Sequence, residues 1–175
     1  MIRNFQVKYF LLALVICLAV FTGLFRVYQD RMIEKPIREQ IIQSLKTDSV
    51  EVAKKDGVYT VEVKLKQAGD IKADYAVVEE AASKKIKEEN YTISMVDHRT
   101  EKLQQDYDDL QLRIYEAMAK DNYLWLEEQI KSQALERKYQ YKLYLDEDKL
   151  YLEIKNQDGF LYEVIDRPTV TKQLG

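Results

Sequence analysis

His98 is the only histidine in a chain of 175 residues, and it stands in the run Asp97-His98-Arg99-Thr100. An imidazole between a carboxylate and a guanidinium could be oriented for proton transfer near neutral pH. The same four residues also make an ordinary polar junction into a helix, with Thr100 as the capping side chain. What surrounds them favours the junction. There is no second histidine, and the single cysteine, Cys17, lies in an apolar run. Nucleophile-base pairs and zinc sites therefore have little to be built from.

Two acidic groups could draw a hard cation: Asp106, Asp108 and Asp109, and Asp146, Glu147 and Asp148. Calcium requires several oxygens converging from a loop, usually one with a glycine. Acids at the first three positions point around a helix cylinder, and the second three fill a short turn. Both groups read as solvated charge. With five glycines in the whole chain, no Walker-type or dinucleotide-type phosphate loop is present. We expect no catalytic residues, no metal ligands, no cofactor-binding residues and no cofactor, and hence no enzyme.

The remaining chemistry is that of contact. Tyr123, Trp125 and Leu126 belong to a Tyr-Leu-Trp-Leu run more apolar than one helix face needs. Trp and Tyr dominate binding hot spots, which makes these three a candidate partner-binding patch. Packing against the sheet that follows is the alternative, because aromatics also dominate cores. Lys84, Lys85 and Lys87 alternate with Glu79, Glu80, Glu88 and Glu89 on a helix and form a solvent face. The chain carries 27 Lys and Arg against 30 Asp and Glu. Arg3, Lys8 and Arg26 are the only charged side chains before residue 29, which leaves 24 basic against 30 acidic groups in the remainder. A mildly acidic, mixed surface excludes nucleic acid as an expected partner.

The elements that must hold these residues follow from the periodicity. Tyr9 to Phe25 contains no charge and no strongly polar group, and with the three residues after it satisfies the roughly 20 a membrane-spanning helix needs. A cleaved secretory signal would have a shorter apolar stretch and small residues before the cut. Here Arg26, Val27, Tyr28 and Gln29 follow instead, so the expectation is a retained transmembrane helix over 9–28 after a short tail of 1–8. The small tail and the long hydrophilic remainder favour the N-terminus inside and the C-terminal domain outside. The bilayer is then one partner through 9–28, and membrane or extracytoplasmic proteins, including a second copy, are the others.

Residues 29–46 read as a juxtamembrane stalk with a helix from about Pro36 to Lys46, Pro36 either starting it or kinking a continuous one. A first α+β unit covers 47–98. Val50 and Val52 alternate before an Asp56-Gly57 turn, and Tyr59, Val61, Val63 and Leu65 alternate after it, a hairpin signal. Asp70 caps a helix running to about Lys87, and Tyr91, Ile93 and Met95 form a third strand. Two helices can then cover one face of three strands. Over 99–168 a helical pair, broken at Asp121-Asn122, leads into a three-stranded antiparallel meander. Residues 169–175 read as a frayed tail. Similar Glu-Gln-Ile triplets at 39–41 and 128–130 each precede a hairpin.

The fold class is therefore α+β: one transmembrane helix, a helix-strand-strand-helix-strand unit, then a helical hairpin and a meander. From Pro36 to Val96 that element order resembles the small ring-building domains of membrane-anchored sporulation and secretion proteins. The resemblance rests on element order alone and implies an assembly role. We expect an anchored scaffold or accessory subunit whose outer domain mediates protein interaction. The alternative is an anchored sensor or regulatory subunit that binds a small ligand or a partner domain.

Overall fold

The computed structural model describes residues 2–168, with side chains from residue 8 onward. The tail expected over 169–175 lies outside the described residues. Helix α1 spans Ile2–Gln29 and runs through a π-helical turn at Asp30–Glu34 into α2, Lys35–Ser44. Residues 2–8 belong to the same helix, and no separate stalk interrupts it. Pro36 explains the wide turn. It has no N–H, and its ring crowds the carbonyl four residues earlier. A turn closed by the Lys35 N–H donating to the Asp30 carbonyl relieves that crowding without breaking the helix. The helix from Lys8 is long and apolar enough to cross a bilayer, and its most apolar stretch is wholly exposed.

Helix α2 ends at Ser44, where the Leu45 N–H still reaches the Ile41 carbonyl at 2.8 Å. The period then changes to two. Strands β1 (Thr47–Lys55) and β2 (Val58–Leu65) join through Asp56 and Gly57, whose φ values of 52° and 92° make the two-residue turn that matches strand twist. Tyr59, Val61, Val63 and Leu65 are buried and the residues between them exposed. Helix α3 (Ile71–Ser83) begins where the Asp70 carboxylate accepts the Ala73 N–H at 3.1 Å. It stops before the expected Lys87, because Lys85 and Ile86 both donate to the Ala82 carbonyl and tighten the last turn. Strand β3 (Tyr91–Val96) returns parallel to β2 in the order β1-β2-β3. Ile37 and Ile41 of α2 and Ile71 and Val78 of α3 share one core with Val61 and Val63, so both helices cover one face of the sheet.

Helix α4 (Glu101–Lys120) is capped by Thr100 and ends at Asp121 with φ 51°. Helix α5 (Tyr123–Arg137) is capped by Asn122 and ends at Lys138 with φ 61°. Strands β4 (Gln140–Leu145), β5 (Lys149–Lys155) and β6 (Phe160–Asp166) form the antiparallel meander. One face presents Leu150, Leu152, Ile154 and Leu161 to Leu110, Ile114, Leu126 and Ile130 of the helical pair. The opposite face carries Tyr151, Phe160 and Tyr162 into the core of the first unit. Strand β5 is therefore buried on both sides, and the segments 47–98 and 99–168 are joined through it. The α+β class and the order of elements agree with the sequence reading.

Candidate functional site

The Asp97-His98-Arg99 run lies where β3 leaves its sheet and meets β6. The His98 carbonyl accepts the Phe160 N–H at 3.0 Å, while the imidazole-bearing residue is exposed. Asp97 accepts the Tyr162 N–H at 2.9 Å, and Arg99 donates to the Tyr162 carbonyl at 3.3 Å. These two side chains thus satisfy the N–H and carbonyl that Tyr162 turns away from its β5 partner Glu153, on the open edge of β6. Arg99 also bridges Asp97 at 2.7 Å and Glu163 at 3.1 Å. Its hydrogen bond to Asp97 holds the guanidinium above its ordinary pKa. Burial pushes the Glu163 carboxyl up, with Arg99 opposing. The geometry is that of a structural junction, with Thr100 capping α4 through the Leu103 N–H at 3.3 Å.

The two acidic groups separate. Asp106 is buried and pairs with Arg137 at 2.8 Å, Asp109 is exposed and pairs with the same guanidinium at 2.6 Å, and Asp108 accepts from Gln104 at 2.7 Å. Asp146 spends its Oδ1 on the backbone N–H groups of Asp148 and Lys149, which closes the β4-β5 turn. Among the described residues, no three His, Cys, Asp or Glu side chains converge as metal ligands do. Beside this turn, Glu79, Glu88, Asp146 and Tyr91 line a recess of about 410 Å³. Its own cation, Lys149, sits 4.0 Å from Glu79 and 3.6 Å from Asp166. Burial raises the Glu79 pKa and Lys149 opposes the rise.

A second polar cluster holds the seam between the two sheets. The Gly69 N–H donates to the Tyr162 hydroxyl at 2.6 Å, and Lys142 donates to the Gly69 carbonyl at 2.6 Å. Lys142 also meets Glu153, whose side chain is 5% exposed, at 3.4 Å. Tyr144 donates to Asp70 at 3.2 Å. Burial drives the Glu153 and Asp74 carboxyls upward, with Lys142 opposing in both. The cluster fastens the start of α3 to β4, β5 and β6. The sequence marks Asp70 only as the cap of this helix; the scattered Tyr, Lys and Glu positions that meet it carry no local pattern.

The aromatic patch is redistributed. Leu126 is 0% exposed and belongs to the core of the helical pair, so it cannot face a partner in the folded chain. Tyr123 and Trp125 are half-buried and pack on the same core. Tyr123 also accepts a hydrogen bond from Arg167 at 3.0 Å, with the guanidinium 5.0 Å above its ring. The exposed apolar groups lie elsewhere on the pair: Leu112 at 82%, Leu124 at 79% and Leu135 at 75%, with Tyr115 at 54%. Leu112 and Tyr115 are one turn apart on α4. Leu124 and Leu135 are eleven residues apart, three turns and about 16 Å along one line of α5. The signal was present in the sequence, since all four fall off the buried stripes of Leu103, Leu110 and Ile114 and of Leu126, Ile130 and Ala134.

Comparison with protein-family models, with curated proteins and with solved structures finds no match to this chain.

Proposed function

We propose that the chain is a single-pass membrane protein whose α+β body mediates protein-protein interaction, as a scaffold or accessory subunit of a membrane complex without catalysis of its own. The carrying observation is the joined helix. Its exposed apolar half needs a lipid environment, and its other end buries Ile37 and Ile41 at 1% and 0% exposure in the body's core. Anchor and body are thus joined by one continuous helix, which suits a subunit that must hold a fixed posture beside others. The exposed leucines of α4 and α5 support a partner surface on the body, since large apolar side chains facing water mark contact sites when several share one face. Lipid through residues 9–28, with the N-terminus inside and the body outside, completes the reading.

Crosslinking in intact membranes, followed by identification of the bound proteins, tests it. The expected result is a specific adduct, with another membrane or extracytoplasmic protein or with a second copy, that is lost when Leu112, Leu124 and Leu135 are changed to serine. Recovery of the monomer alone, with a small molecule retained through purification, would replace this reading by a sensor. A mature chain starting near Tyr28 in the soluble fraction would remove the anchor.

A further inference from the structure

The β1-β2 hairpin does not point away from the apolar helix. Its tip and the end of that helix face each other across a cleft of about 880 Å³, with Thr22, Phe25 and Arg26 on one wall and Lys54, Asp56 and Gly57 on the other. The apolar run Tyr9 to Phe25 is seventeen residues, or about 26 Å of helix. A hydrocarbon layer of about 30 Å that ends where the apolar run ends has its boundary at about Phe25, with Arg26 at headgroup level. The hairpin tip shares its cleft with Phe25, Arg26 and Gln29 and lies at that same level.

The charges at that level are distinctive. Residues 22–35 and 52–58 hold Arg26, Arg31, Lys35, Lys54 and Lys55 against Asp30, Glu34 and Asp56, in a chain whose remainder after residue 28 is net acidic. Lys54 and Lys55 are exposed at the end of β1, directly before the two-residue turn, and Val58 directly after it is 38% exposed. Two lysines and an apolar side chain on a tip are suited to anionic headgroups, where each Lys near the surface is favoured about fivefold. We propose that this hairpin tip is a second membrane contact, binding anionic phospholipid headgroups through Lys54 and Lys55. The inference rests on the anchor reading above.

The test uses the full chain in nanodiscs of phosphatidylcholine alone or with about one third phosphatidylglycerol, read by amide hydrogen exchange. The expected result is exchange over 53–58 slowed at least about fivefold by the anionic lipid, with the α4-α5 segment unchanged. The slowing should vanish in high salt and in the Lys54→Glu/Lys55→Glu variant. If the chain embeds in the discs and 53–58 exchanges equally on both lipids, the hairpin contact is overturned and the anchor stands. If the folded chain stays outside the discs, the anchor itself has failed, and the inference with it.

Discussion

Gly159 and the His98 carbonyl approach so closely that a β-carbon on Gly159 would collide with that oxygen. The same oxygen accepts the Phe160 N–H, so it cannot retreat without giving up the backbone bridge between the end of β3 and β6. Backbone against backbone leaves no flexible side chain to yield. Gly159→Ala should therefore cost about 1–3 kcal/mol, seen as a lower urea midpoint for the full chain in detergent. A midpoint within error of the parent would show that the seam is looser than described.

Leu124 and Leu126 are two residues apart and opposite in kind. Leu126→Ala should destabilise the body by about 2–5 kcal/mol through the cavity it leaves. Leu124→Ser should change stability by less than about 0.5 kcal/mol, and its effect should appear in crosslinking yield. Equal unfolding midpoints for the two variants would contradict the placement of α5.

Among the described residues, Arg137 is the cation paired with buried Asp106. Arg137→Ala strands that carboxylate and should cost about 3–5 kcal/mol. The double change Arg137→Met with Asp106→Leu should recover much of the loss, because it removes both charges and keeps apolar volume. Tyr139 gives the opposite sign. Its hydroxyl is buried without a hydrogen-bond partner, and burial pushes its pKa upward. Tyr139→Phe should leave stability unchanged or raise it by up to about 1 kcal/mol. Thermal melts of the three variants check both statements.

Glu153 has a raised pKa in the folded chain because burial outweighs the help of Lys142. The native state then holds this proton more tightly than the unfolded chain does. The stability it contributes is complete below the unfolded glutamate pKa of about 4.3 and is lost as pH rises through the folded value. Glu153→Gln should therefore gain on the parent between about pH 4.5 and 7, in urea melts at each pH. Lys142 keeps its bond to the Gly69 carbonyl in that variant and is not stranded. A gain in the other direction would mean that the Lys142 pairing dominates.

Which parts of this molecule could be read from the residues follows from the range of the interactions. Val61 and Val63 announce β2, Asp70 and Thr100 announce helix starts, Asp121-Asn122 announces the break between α4 and α5, and Asp56-Gly57 announces its turn, all through neighbours a few positions away. The parallel return of β3 and the double burial of β5 depend on partners far along the chain. Tyr151 and Tyr162 alternate with Leu152 and Leu161 as any half-buried strand would. Only the folded chain assigns the tyrosines to the first unit's core and the leucines to the helical pair. Tyr123, Trp125 and Leu126 show the same limit from the other side. Their composition is that of a contact patch, and the rotation of α5 about its axis turns Leu126 inward and Leu124 outward.

The wide turn before Pro36 sets an angle. Each residue of a helix advances the chain by about 1.5 Å and swings it by about 100°, and a π-turn accommodates one residue more than a regular turn at that point. Trimming a single amino acid there would re-aim the α+β body around the axis of its stem. Two proteins alike in every surface residue would then present different sides to the same neighbour.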